Sequence, residues 1–301
     1  MKVFMILRTT PRHLVRYKST QSRNPKTYCI DLVRKHDFEN YLCSVFLRRG
    51  DQDCAFAIRA FNIEVANVEE QVSQTTIGLM RLKFWEDAID KIFQDNPPQH
   101  PVAQEIHRVL GKNAMSKHNL RQLVLARTEK LSFNTFQSLD HMEKYADQTC
   151  SSLFHLQLAS CGSKNVNADH AFSHLGKAQG LTNLIRSVPY YAKRKIVIIP
   201  QDILLQHRVS HENIIRGGCD KPIRDAVFDV ACRANSHVDK ALSLIDQIPN
   251  RLFRHLLPVI PLKSYLEKLR LADFDVFHPN LQLRDTALPI KLLWKTLRGR
   301  L

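Results

Sequence analysis

Residues 178–191 read AQGLTNLIRSVPYY. Gln179, Asn183 and Arg186 fall at i, i+4 and i+7, so a helix puts all three on one face. Next come Ser187 and, four residues on, Tyr191, with Pro189 between them. Neither a serine hydroxyl nor a phenol offers a hard divalent cation the anionic oxygen that a carboxylate would. A proline inside a helix removes a backbone bond and costs about 3 kcal/mol. The helix is therefore expected to end or kink near Val188.

The chain around this stretch also reads as helix. Glycine is scarce, at 9 of 301 residues, while Leu, Ile, Ala, Lys, Arg and Gln abound. Apolar spacing predicts a helix or broken pair over 28–49, ending at Arg48-Arg49-Gly50-Asp51. Further helices are expected over 52–70, 76–95, 100–111, 117–130, 135–161, 167–188, 220–247, 250–270 and 287–297. Asp95-Asn96-Pro97-Pro98 stops one of them, and 193–202 is a basic, then apolar, extended connector. No repeat, low-complexity tract or long linker divides the chain, so a single all-α domain over 28–301 is predicted.

The formal charge of +15 invites a nucleic-acid reading. Its distribution argues otherwise, because residues 1–30 carry seven Lys and Arg and no acid, leaving about +8 elsewhere. That opening, MKVFMILRTTPRHLVRYKSTQS, is rich in Arg, Ser and Thr with a short apolar face, so residues 1–27 are expected to be a mitochondrial presequence. The seven scattered cysteines show no C-x-x-C pair, which suggests reduced thiols rather than a zinc site. His170 and His174 have zinc-compatible i, i+4 spacing, but the sequence offers no third ligand nearby and Lys177 follows one turn on. No apolar run approaches membrane-spanning length, and no serine-hydrolase elbow, phosphate loop or dinucleotide fingerprint occurs.

Residues 178–191 resemble the second signature helix of the squalene/phytoene synthase family, whose active members carry aspartates where Ser187 and Tyr191 stand. Phe56-Ala57-Ile58-Arg59-Ala60-Phe61-Asn62 resembles the start of the first signature helix. Its three aspartate positions become Asn62, Ile63 and Ala66, or Ile63, Glu64 and Asn67 if the register slides by one. Arg81-Leu82-Lys83-Phe84-Trp85-Glu86-Asp87-Ala88 and Ile199-Pro200-Gln201-Asp202 are similar to two further family blocks, so the resemblance spans roughly 28–260. It implies an isoprenoid-synthase-like helical bundle around a central cavity. In that family, carboxylates on two helices hold magnesium against the diphosphate that leaves. Here too few carboxylates are expected across the cleft, so the resemblance implies a pseudoenzyme with no catalytic, cofactor or metal residues. Arg59, Asn62, Glu64, Arg81, Gln179, Asn183 and Arg186 are expected to line a remnant pocket, either as an inherited and satisfied polar core or as a lipid- or diphosphate-sensing site.

Further blocks narrow the resemblance to a non-enzymatic mitochondrial branch of the family. Among them are Tyr28-Cys29-Ile30-Asp31-Leu32-Val33-Arg34-Lys35-His36-Asp37, Ala168-Asp169-His170-Ala171 and Asp273-Phe274-Asp275-Val276-Phe277-His278-Pro279. That branch implies a protein on the matrix side of the inner membrane, in peripheral contact with it. Its partners would be respiratory complex I assembly intermediates, the ND1 subunit and other assembly factors, with no nucleic acid. Two other classes stay open: a magnesium-dependent prenyl-diphosphate synthase and a mitochondrial RNA-binding protein.

Overall fold

The computed structural model describes residues 24–299 apart from Ser73 and Asn134. Among these residues there is no strand, and fourteen α-helices follow one another. They are α1 (Pro25–His36), α2 (Phe38–Val45), α3 (Arg49–Gln71), α4 (Thr75–Ile92), α5 (Pro101–Leu110), α6 (Lys117–Lys130) and α7 (Leu139–Ala146). After them come α8 (Ser152–Ser160), α9 (Val166–Lys193), α10 (Gln201–Gln206), α11 (His211–Ile215), α12 (Lys221–Ser243), α13 (Val259–Leu271) and α14 (Leu288–Arg298). Most of the predicted presequence lies outside the described residues. Within them, α1 starts at Pro25, capped by the Asn24 side chain, inside the segment expected to be leader.

Two helices organise the molecule. Helix α3 is buried on every side from Cys54 to Ile63, and its cluster draws apolar side chains from α1, α4, α5, α6 and α8. Helix α9 runs along α12, and its cluster draws on α7, α8, α12 and α13. Helix α8 joins the two clusters: Leu153 and Leu156 belong to the first, Phe154 and Leu158 to the second.

Backbone contact brings α9 against the segment between α7 and α8, a single π-helical turn at Asp147–Ser151. A Cβ on Gly176 would lie 2.4 Å from Ser151 Cα, and one on Gly180 2.5 Å from Ala146 Cβ. Glycine one turn apart on α9 is what lets the two backbones meet. Ser151 Oγ donates to the Ser173 carbonyl at 2.9 Å, satisfying a buried hydroxyl inside that seam.

Several expectations are corrected. Helix α9 neither stops nor breaks at Val188 but continues through Pro189 to Lys193. Ile185, Val188 and Ala192 are buried in the core along that stretch. Burying side chains of the Ile and Val type is worth about 1.5–3 kcal/mol each, enough to outweigh the proline. The segment expected to terminate a helix at 48–51 instead starts α3. Of the two forms considered for 28–49, the broken pair is found, interrupted at Asp37 with φ −142° and ψ 63°. The helix expected over 135–161 is α7 and α8 joined by the π turn, and 250–270 begins as a 3-10 segment, Asn250–Leu256.

Candidate functional site: a cavity neutralised from within

Between α2, α3, α6, α9 and α13 lies a cavity of about 170 Å³. Helix α3 presents Arg59 and Asn62 to it from its buried face, and α9 presents Gln179, Asn183 and Arg186. Five of the seven predicted pocket residues therefore meet there. Glu64 and Arg81 do not. Glu64 accepts from the Tyr28 hydroxyl at 3.0 Å, and Arg81 donates to Gln71 at 2.9 Å on the surface.

The cavity contains more carboxylate than its signature helices predict, which corrects the expectation of an acid-poor cleft. Asp37, Glu39, Glu69 and Glu70 all line it. Two of them come from the break between α1 and α2 and the first turn of α2. Asp37 lies 3.5 Å from Arg59 and accepts from the Asn40 amide at 2.9 and 3.1 Å. Glu39 takes both arms of the Arg186 guanidinium at 2.8 Å each, and that guanidinium lies 4.5 Å from the Tyr265 ring centroid. Gln179 donates to Asn40 at 3.3 Å, so residues 37–40, at the break and the first turn of α2, supply partners to both α3 and α9.

The far wall is closed in the same way. Tyr191 donates its hydroxyl to Glu69 at 3.2 Å, linking α9 directly to α3. Arg127 of α6 donates to Asn62 at 2.5 Å and to the Leu123 carbonyl at 2.6 Å. Burial pushes the Asp37 carboxyl above its ordinary range, against the pull of Arg59. Burial, then the Glu69 charge, holds the Tyr191 phenol well above its own. For Arg186 burial works against the charge, yet the two bonds from Glu39 outweigh it and its pKa is raised.

The magnesium that the fold family implies does not fit this donor set. Three magnesium ions need free oxygens converging on shared points, whereas Asp37, Glu39 and Glu69 are spent on a cation or a phenol. Among the described residues, three His, Cys, Asp or Glu donor atoms converge at one place, and it lies elsewhere: Asp51, Cys161 and His255. There His255 Nε2 faces the thiol at 3.3 Å and the carboxylate at 3.4 Å, a hydrogen-bonded trio. Burial, followed by the Asp51 charge, pushes the Cys161 thiol up to about 12. The two-histidine motif also resolves differently from its spacing. His170 is exposed, and His174 instead meets His237 of α12, Nδ1 to Nδ1 at 2.8 Å.

Asp37, Glu39, Asn40 and Arg127 were not among the predicted site residues. The available signal was physical: buried arginines need counter-ions, and the acid-rich break at residues 37–40 was the unclaimed source.

Comparison with known proteins places this geometry. The family model described as squalene/phytoene synthase matches residues 33–287. A rat protein named NADH dehydrogenase (ubiquinone) complex I, assembly factor 6 is 42% identical, with 91% of this chain and 82% of the relative covered. A Drosophila melanogaster protein named as its homolog is also 42% identical, with 91% of this chain and 84% of the relative covered. Among solved structures, a dehydrosqualene synthase superposes with a TM-score of 0.78 over 91% of this chain and 95% of its own, at 15% identity, a likeness of fold alone. The chain belongs to the squalene/phytoene synthase family.

Proposed function

We propose that this chain is a mitochondrial complex I assembly factor that keeps the synthase scaffold without its reaction. The observation that carries the reading is the internally neutralised cavity. Arg59 and Arg186, the cations that would receive a diphosphate, already face Asp37 and Glu39. Ionising an allylic diphosphate demands magnesium held by free carboxylates, and loss of a single charge-stabilising contact can cost on the order of 10²–10³ in rate. Relatives named as assembly factors at 42% identity support the same reading.

In finer terms, we infer a matrix-side protein in peripheral contact with the inner membrane, acting early and in biogenesis of the ND1 subunit. Among the described residues, no helix is long and apolar enough to cross a membrane, which suits a peripheral role. The scaffold would act as a chaperone-like module that holds partner subunits rather than transforming a substrate. The test is depletion in cells followed by native-gel analysis of complex I. The expected result is loss of early assembly intermediates containing ND1, restored by the wild-type chain. Normal assembly after depletion would sink the reading.

A second reading rests on the four cavity carboxylates, which would have to rearrange around magnesium in an active synthase. Purified chain given magnesium and farnesyl diphosphate decides it. Diphosphate release abolished by a chelator would establish the enzyme and displace the assembly-only role; no release above background is expected.

A further inference from the structure

Helix α14 is apolar on two opposite faces. Leu288 and Leu292 are buried with Cys43 and Leu257 and fasten the helix to the body. Ile290, Leu293, Trp294 and Leu297 recur at i, i+3, i+4 and i+7 and stand 72%, 49%, 53% and 74% exposed. At roughly 100° per residue these four fill an arc of about 100° opposite the buried pair. Such a stripe is the usual signature of a packed face, yet here it points away from the protein.

The charges around the stripe identify what would cover it. Among residues 288–298 every charged side chain is basic: Lys291, Lys295 and Arg298. They fall together on one flank of the apolar arc. Lys291 pairs with Asp285 at 2.7 Å, and the Arg298 guanidinium lies 4.3 Å from the Trp294 ring centroid. An apolar ridge with a tryptophan on it and a flank of one positive sign matches a boundary where hydrocarbon meets anionic headgroups.

We propose that α14 is the surface by which this chain lies on an anionic lipid bilayer. Ile290, Leu293, Trp294 and Leu297 enter the acyl boundary, while Lys295 and Arg298 meet headgroup phosphates. This deepens the membrane contact proposed above and rests on that reading.

The test is sedimentation of the whole chain with phosphatidylcholine vesicles, alone or with about one-fifth phosphatidylglycerol. Two variants are compared with wild type: Ile290→Ser/Trp294→Ser/Leu297→Ser and Lys295→Glu/Arg298→Glu. Neither touches Leu288 or Leu292, so unchanged thermal unfolding verifies the fold. The expected result is binding that favours anionic vesicles and weakens at least tenfold in each variant. Tryptophan emission should also shift to the blue on binding, reporting Trp294 because the other tryptophan, Trp85, is already buried. Wild type that ignores vesicles, or a triple-serine variant that binds equally well, overturns the proposal. So does a dimer in vesicle-free solution that the triple-serine variant dissolves, which would assign the ridge to a second copy. If the wild-type chain restores complex I yet never binds vesicles, the lipid surface fails and the assembly role stands. Anionic-vesicle binding lost in both variants, without rescue of complex I, supports α14 and counts against the assembly role.

Discussion

Arg186 shows how this cavity satisfies its own charges. A guanidinium largely removed from water must be paired, and Glu39 meets both of its arms. Glu39→Gln should therefore destabilise the fold by about 2–3 kcal/mol, below the value for a fully buried pair because both side chains keep some solvent access. Replacing Arg186 as well, by Leu, should recover most of that loss. Urea unfolding of the two single variants and the double variant measures the coupling, and additive losses would show that the pair is not the unit. Tyr191→Phe is a milder test: it strips one donor from Glu69 and should cost on the order of 1 kcal/mol by the same method. Three of the residues now seen in the cavity were legible because one helix face has fixed geometry: Gln179, Asn183 and Arg186 needed no neighbour to be placed. Glu64 and Arg81 failed because their direction depends on how α3 and α4 roll against other helices. Spacing along one chain segment contains no such information.

Pro189 makes the same point for elements, where local rules yield to packing. The proline removes a backbone donor, but Val188 and Ala192 bind the last turns of α9 to the core regardless. Helix periodicity was legible nearly everywhere, and a break within 28–49 was one of two forms expected, whereas its position at Asp37 and the π turn at Asp147–Ser151 were not legible, since both answer to neighbouring helices. The α9 seam gives a direct prediction. Gly176→Ala would drive a methyl into the backbone of Ser151 and should cost about 1–3 kcal/mol, read as a lowered melting temperature. Glu143 of α7 supplies a pH test of how that helix is tied to α9 and α12. Burial would raise its pKa, but the bond from Arg233, the His237 ring 3.2 Å away and the Lys177 charge hold it down at about 2, against 4.5 unperturbed. A depressed folded-state pKa means stabilisation present in full above about 4.5 and lost as pH falls through about 2. After allowance for solvent screening, that contribution is about 1–2 kcal/mol. Glu143→Gln should flatten the acid limb of stability against pH by this amount, while an unchanged limb would show that other carboxylates dominate.

Across the whole molecule, the question is whether two hydrophobic clusters make two folding units. Helix α8 argues for one, because successive residues of a single short helix enter opposite clusters: Leu153 and Leu156 on the α3 side, Phe154 and Leu158 on the α9 side. Neither cluster can lose its contacts without loosening the helix that the other uses. The cavity adds a second tie, since the junction of α1 and α2 holds Arg59 of α3 through Asp37 and Arg186 of α9 through Glu39. Large-to-small changes at buried sites typically cost 2–5 kcal/mol. Leu156→Ala and Phe154→Ala, aimed at opposite clusters, should each lower the same unfolding transition by an amount in that range. Scanning calorimetry would then show one peak that moves in both variants. If Phe154→Ala instead separates a low-temperature peak while the α3 side melts unchanged, the clusters are independent units. The cavity between them would then be a mobile interface, and its neutralising ion pairs would be hinge contacts rather than a fixed replacement for a metal grip.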